Sequence, residues 1–317
     1  MAEKQLAVIA IGGNSLIKHS EKRTVEDQYM AICETTHHLV DLVEQGYQLV
    51  ITHGNGPQVG FIMLRSEIAR EQVGLHIVPL SSCVADTQGA IGLQIQQALG
   101  DELQRREMDG RAVTVVTQVE VSATDPGFVV PDKPIGEFYR KEQLEKLKEQ
   151  HPDWILMEDS NRGYRRVVAS PVPLKIVEES AVVALLNSGF HVITAGGGGV
   201  PVVRSDIGLT SVDAVIDKDK TASLLGSNLA APLLVISTAV EQVMLNYGTD
   251  AEEKLGQVRV AEMEKYLRDG HFAPGSMAPK IEAAIDFIHN GGEKVIITNP
   301  ENIGEAIRRG KGTQIVP

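Results

Sequence analysis

Three lysines and a set of glycine-rich turns carry most of the chemistry legible in this chain. Lys133 lies in Pro131-Asp132-Lys133-Pro134-Ile135-Gly136, where the flanking prolines stiffen the loop and hold a flexible cation in one place. Lys218 lies in Ala214-Val215-Ile216-Asp217-Lys218-Asp219, at the point where an apolar strand gives way to a helix. Lys280 falls in the first turn of a helix, in Gly275-Ser276-Met277-Ala278-Pro279-Lys280. A cation there opposes the positive helix end, so a nearby anion would rationalise it. Taken singly, each lysine could equally be a solvated surface residue, and Lys218 could form a local ion pair with its flanking aspartates. Asp217 either orients lysines or metal-bound waters, or caps the helix that begins near Asp219.

Glycine clusters follow apolar strands at Gly12-Gly13-Asn14, at Gly54-Asn55-Gly56 and at Gly196-Gly197-Gly198-Gly199. At the carboxyl end of a parallel strand, glycine lets the backbone approach a ligand, and the following helix aims its N–H groups at a phosphate. The first three together point to ligand binding, whereas Gly291-Gly292 reads as an ordinary turn. The usual nucleotide signatures are missing: Gly304 to Lys311 has the wrong spacing for a P-loop, and no GxGxxG follows a strand. The nine histidines show no zinc spacing. His53 and His271 read as turn-orienting residues. Ser81-Ser82 and Ser276 lack a His/Asp framework and read as helix caps.

Alternating strands and helices must position these groups. Leu6–Ile11, Leu49–Thr52, Val113–Val116, His191–Ala195, Leu233–Ile236 and Val295–Thr298 read as buried strands. A helix is expected from Val25 to Glu44. Another carries the stripe Met277, Ile281, Ala284, Ile285 and Ile288, with Ser276 as N-cap and Gly291-Gly292 as its stop. The pattern gives an α/β fold with a mostly parallel sheet covered on both faces. The segment from Glu120 to Pro173 breaks the rhythm, with scattered charge and the sole tryptophan, Trp154. It reads as an irregular insertion over the cleft.

With 317 residues and 43% hydrophobic content, the chain can build two lobes around one cleft. A net charge of −12 argues against nucleic acid or an anionic membrane as partner. Any phosphate site must therefore be built locally from backbone N–H groups and placed lysines. No apolar run is long enough to span a membrane, and Cys33 and Cys83 lack metal-ligand spacing. Both features suit a soluble, cytoplasmic protein.

The ordered set Ala10-Ile11-Gly12-Gly13-Asn14-Ser15, Thr52-His53-Gly54-Asn55-Gly56-Pro57-Gln58-Val59-Gly60, Lys133-Pro134-Ile135-Gly136, Arg162-Gly163-Tyr164-Arg165-Arg166-Val167-Val168 with Ser170-Pro171, Gly196-Gly197-Gly198-Gly199-Val200-Pro201, Ala214–Asp219 and Gly270–Met277 resembles the carbamate kinase family of the amino acid kinase superfamily. The resemblance spans nearly the whole chain, from residue 6 to Thr313. It implies a three-layer αβα sandwich with a protruding subdomain. Residues 1–212 would form the acceptor lobe, with a lid-like subdomain at about 120–173, and residues 213–317 the nucleotide lobe.

It further implies a homodimer, Mg²⁺ accompanying ATP or ADP, and reversible transfer between ATP plus carbamate and ADP plus carbamoyl phosphate, run toward ATP in arginine or purine-derived catabolism. Carried over residue by residue, the catalytic groups are Lys133, Lys218, Lys280 and the organising Asp217. Gly12, Gly13, Asn14, Gly54, Asn55 and Gly56 would donate to the phosphoryl group and carbamate. Asp217, Lys218, Ser276, Met277 and Lys280 would meet the nucleotide. Two positions depart from the pattern: Asn161 stands where many relatives have glycine, and Ala239 where many superfamily members have aspartate. Another small-acid kinase, or a nucleotide-binding sensor of the same fold, is the alternative.

Overall fold

The structure, a computed structural model, describes residues 5–13, 16, 24–159 and 163–317. Asn14, Asn161 and Arg162, singled out above, lie outside the described residues.

An eight-stranded sheet runs in the spatial order Gln257–Arg259, Thr313–Val316, Lys294–Thr298, Leu233–Ser237, Gln5–Ile11, Tyr47–His53, Phe190–Ile193, Arg111–Thr114. The six strands from Lys294–Thr298 to Arg111–Thr114 are mutually parallel. Thr313–Val316 reverses direction against Lys294–Thr298 and carries Gln257–Arg259 with it. The sheet is mostly parallel, as the alternation predicts, with a reversed edge that the sequence pattern does not announce.

The central strand shows why its sequence is apolar throughout. Val8 and Ala10 join a core shared with Leu225, Ile281 and Phe287, from the helices Lys218–Asn228 and Ala278–His289. Ala7, Ile9 and Ile11 point to the other face. They pack with Leu39, Ile95 and Leu99 from the helices Val25–Glu44 and Leu80–Arg105. A strand alternates its side chains between faces, so one covered on both sides needs apolar residues at every position. The result is the expected three-layer αβα sandwich.

The segment from residue 120 to 173 is more regular than its composition predicts. Its flanks belong to a four-stranded sheet in the order Gly208–Ser211, Val200–Ser205, Gln118–Val121, Pro173–Ile176. Between them, Lys133–Tyr139, Tyr164–Val168 and Ile155–Glu158 form a separate antiparallel three-stranded sheet, and Leu144–Gln150 is a short helix. Helix Gln58–Val73 packs close against the strand Lys133–Tyr139. A Cβ at Gly60 would stand 2.9 Å from the Gly136 Cα, so the contact needs glycine.

Helix capping corrects two expectations. Helix Ala278–His289 starts after Met277, and no side chain caps it, so Ser276 is not its N-cap. Ser81 and Ser82 lie inside the first turn of Leu80–Arg105, whose N-cap position is Pro79. Pro79 and the Ala278-Pro279 pair set the entry of the chain instead. The Gly291-Gly292 stop is present, with Gly291 at φ +99° just beyond Asn290.

Candidate active site

The parallel strands Leu233–Ser237, Gln5–Ile11 and Tyr47–His53 lie side by side, and their carboxyl ends open into one cleft of about 410 Å³. Each strand releases a loop there: Ser237-Thr238, Gly12-Gly13 and Gly54-Asn55-Gly56. Helices beginning at Gln58, Lys218 and Ala278 start at its rim, so their positive ends face a common space. Close approach explains the first glycine: a Cβ on Gly12 would sit 2.7 Å from the Ser237 carbonyl oxygen.

All three lysines converge on this cleft from distant parts of the chain. Lys133, entering from the three-stranded sheet, donates from Nζ to Asp217 Oδ2 at 2.8 Å. Lys218 Nζ donates to Asp219 Oδ1 at 2.5 Å, and Lys280 Nζ to Asp219 Oδ2 at 2.8 Å. Asp217 Oδ1 accepts from the Asp219 backbone N–H at 2.9 Å, capping helix Lys218–Asn228. Asp217 therefore does both things the sequence left open: it caps the helix and it holds a lysine.

Charge balance follows from this geometry. Burial pushes the Asp217 carboxyl up, but Lys133 and Lys218 overcome it and hold the group well below the usual carboxylate range. Asp219, buried at 2% exposure, is likewise held down by Lys218 and Lys280 against the effect of burial. Burial lowers the Lys218 ammonium, and neighbouring Lys280 adds to this, while Asp219 opposes both. The two carboxylates thus tie the three ammonium groups together: Asp217 holds Lys133, and Asp219 holds Lys218 and Lys280.

Asp219 is the residue that sequence reasoning underrated. The organising role given to Asp217 is divided, since Asp219 is the carboxylate that ties Lys218 to Lys280. Its only sequence signal is its place beside Lys218. Arg165 is a second omission: it borders the cleft and donates from Nε and Nη2 to the Gly136 carbonyl at 3.2 and 3.1 Å.

Gly12, Gly13, Gly54, Asn55, Gly56 and Ser276 also line the cleft. Gly54, however, gives its N–H to the Ile11 carbonyl at 2.9 Å, so it does not serve as the expected donor to a ligand. Lys218 packs beside it, its Cδ 3.7 Å from where a Cβ on Gly54 would stand. The Asn55 side chain turns inward and donates to Thr87 Oγ1 at 3.2 Å. Of the third glycine run, only Gly197 borders the cleft. Gly196 packs on the His53 ring and Gly198 on the Ile216 carbonyl, supporting the turn that presents Asp217. His53 does orient its turn: Nδ1 donates to the Gly54 carbonyl at 2.9 Å, and burial lowers the ring to about 4, keeping it neutral.

Met277 lies next door, in a second hollow of about 290 Å³ with Tyr247, His271, Phe272 and Ala239. Thr238, Ser276 and Lys280 border both spaces, so the two adjoin. No cluster of three metal-ligating side chains occurs among the described residues. Asp217 and Asp219, the two carboxylates on the cleft, are already engaged by lysines.

Comparison with known proteins agrees with this arrangement. Residues 5–299 match the model of the amino acid kinase family. The chain is 50% identical over 314 residues to the carbamate kinase-like protein YahI of Escherichia coli, covering 99% of both chains. It is 47% identical over 309 residues to the carbamate kinase of Staphylococcus haemolyticus, covering 97% of this chain and 98% of that one. The solved carbamate kinase of Giardia lamblia bound to AMP-PNP superposes with a TM-score of 0.92 at 38% identity, over 100% and 99% of the two chains. With its fold and nearly its whole length shared in this way, the chain belongs to the carbamate kinases of the amino acid kinase family, and is a phosphotransferase.

Proposed function

We propose that this enzyme transfers a phosphoryl group reversibly between ATP plus carbamate and ADP plus carbamoyl phosphate. The observation that carries the reading is the convergence of Lys133, Lys218 and Lys280 on one glycine-lined cleft. Carbamate is already an anion, so its oxygen needs no general base to attack phosphorus. Catalysis can then rest on positioning and on neutralising charge at the transferring group. Lys218 and Lys280, with the backbone N–H groups of Gly12, Gly13 and Gly56, suit the phosphoryl oxygens. Lys133 suits the acceptor side.

The adjoining hollow suits the nucleoside, with Met277 and Phe272 as apolar walls and Ser276 at the junction. Ala239 lies on that side, so its departure from the superfamily pattern bears on nucleotide contacts and not on phosphoryl transfer. Mg²⁺ bound to the nucleotide would add positive charge along the phosphates, with Asp217 the carboxylate placed to meet its water shell.

A homodimer fits an exposed stripe on helix Leu80–Arg105 comprising Ser82, Asp86, Gly89, Ala90 and Leu93, beside exposed Val116. Ser82, Gly89 and Ala90 are small enough to allow close approach of a second copy, and Leu93 offers an apolar contact. Free Cys33 and Cys83 suit the reducing cytoplasm, and no described helix is long and apolar enough to cross a membrane. ATP formation as the physiological direction, in arginine or purine-derived catabolism, completes the proposal. A coupled assay of ATP formation from ADP and carbamoyl phosphate tests it. Robust turnover is expected, and failure with this pair alongside turnover with an amino-acid acceptor would move the enzyme to another branch of the family.

A further inference from the structure

On the far side of the three-stranded sheet lies a cavity of about 410 Å³, as roomy as the reaction cleft. Its floor is apolar, built from Met63, Val78 and Leu80, and its wall is Trp154. Trp154 is held in place: the His151 ring stacks on it at 3.9 Å, and the Arg166 guanidinium lies 4.9 Å from its centroid. Ile135, Gly136 and Gly60 separate this space from the cleft, leaving a gap of about 10 Å³, too small for more than a single water.

The charges around the cavity are unbalanced. Arg166, its one guanidinium, already bonds Asp213. Glu67 also lines the space, half-buried, with no hydrogen bond or ion pair among the described residues. Burial and nearby Glu71 raise its carboxyl, although Arg166 opposes them; burial and Arg166 lower the His151 imidazole, with Glu71 opposing. A half-buried carboxylate beside an apolar floor, with Arg166 already bonded to Asp213, is placed to pair with a further cation. Glu67 and Asp213 against a single Arg166 leave the cavity one negative charge in excess, within a chain of net charge −12.

We propose that this cavity is a second ligand site, distinct from the reaction cleft, which takes a small organic cation with an aliphatic body. The cation pairs with Glu67 and the body lies on Met63, Val78 and Leu80. The site does not depend on which acceptor the cleft uses.

Trp154 is the sole tryptophan, so intrinsic fluorescence reports directly on this wall. Full-length enzyme, free of nucleotide, is titrated with hexylammonium, hexanol and hexanoate. The expected result is a saturable change with hexylammonium, at least ~10-fold weaker binding of the neutral and anionic analogues, and a similar loss in the isosteric Glu67→Gln variant, the scale of one ion pair. Glu67→Gln should keep wild-type turnover and melting temperature, which separates loss of the site from loss of the fold. No saturable change at millimolar hexylammonium, an equal response to hexanoate, or unchanged affinity in Glu67→Gln overturns the proposal.

Discussion

At the scale of single residues, the site is a chain of alternating charges: Lys133 to Asp217, whose cap reaches Asp219, which in turn holds Lys218 and Lys280. Lys218→Ala removes one charge stabiliser from the transition state and is expected to lower kcat by at least ~10²-fold. Fold stability should hardly change, so a collapsed melting temperature would show that the loss came from unfolding. Asp219→Asn probes a different link. Asp219 is the partner that raises the Lys218 ammonium against burial, so its loss lets Lys218 deprotonate at lower pH. Turnover in Asp219→Asn should therefore fail earlier on the alkaline side, and an alkaline limb unmoved from wild type would reject the assignment. Lys133 was legible from its proline-stiffened segment, Lys218 from its place where a strand gives way to a helix, and Lys280 from a first helical turn where a cation opposes the dipole. Asp219 was not, because an aspartate beside a lysine reads as a local ion pair until Lys280 arrives from 61 positions away.

Among the elements, the six expected parallel strands are all present with ends shifted by up to two residues; the edge strand, expected at Val113–Val116 and found at Arg111–Thr114, moves the most. The three-stranded sheet was missed. Ile155–Glu158 is largely exposed and Tyr164–Val168 is buried at only one end, so neither shows the pattern of a core strand. Lys133 begins the strand of that sheet which presses on helix Gln58–Val73 at Gly60. Movement of this sheet would carry the lysine with it. Hydrogen exchange with ADP plus a carbamoyl phosphate analogue should increase protection over residues 133–168 but not over Gln118–Val121 or Pro173–Ile176, which belong to the four-stranded sheet. Uniform protection in both states would argue for a fixed lobe. A second group of elements is tied by charge: Arg106, just past helix Leu80–Arg105, bonds Asp41 and Glu44 on helix Val25–Glu44 as well as Glu102 in the last turn it follows. Bonds from Arg105, then Arg106 and His37, outweigh burial and bring Glu102 down to about 2. Because that lies below the ordinary carboxyl value of 4.5, the stabilisation is complete above about pH 4.5 and disappears as pH falls toward 2. Glu102→Gln should be less stable than wild type at neutral pH, with the gap closing as acid is added in urea-unfolding experiments. A gap independent of pH would mean that packing, not charge, links these helices.

For the molecule as a whole, the acceptor is the open choice, and the three-stranded sheet over the cleft bears on it. Strand Gln5–Ile11 offers no lysine before Gly12-Gly13, and Lys133 lines the cleft from the three-stranded sheet; in the proposed mechanism it would supply that charge. A long acceptor side chain would displace the sheet, and a misplacement of ~1 Å costs ~10²-fold in rate. Carbamoyl phosphate should therefore be a far better phosphoryl donor to ADP than any acyl phosphate of an amino acid, with Lys133→Ala impaired. An unimpaired Lys133→Ala enzyme, or efficient phosphorylation of N-acetylglutamate or aspartate, would contradict this. The same central strand has a consequence for the life of the nascent chain. Ala7–Ala10 pairs on one side with Leu49–Thr52 and on the other with Leu233–Ile236. During synthesis, one edge of this apolar central strand stays open while more than two hundred further residues are made. An unpaired edge of this kind recruits other chains. A fragment of residues 1–212 should accumulate as aggregates when expressed alone, and become soluble when residues 213–317 are produced in the same cell.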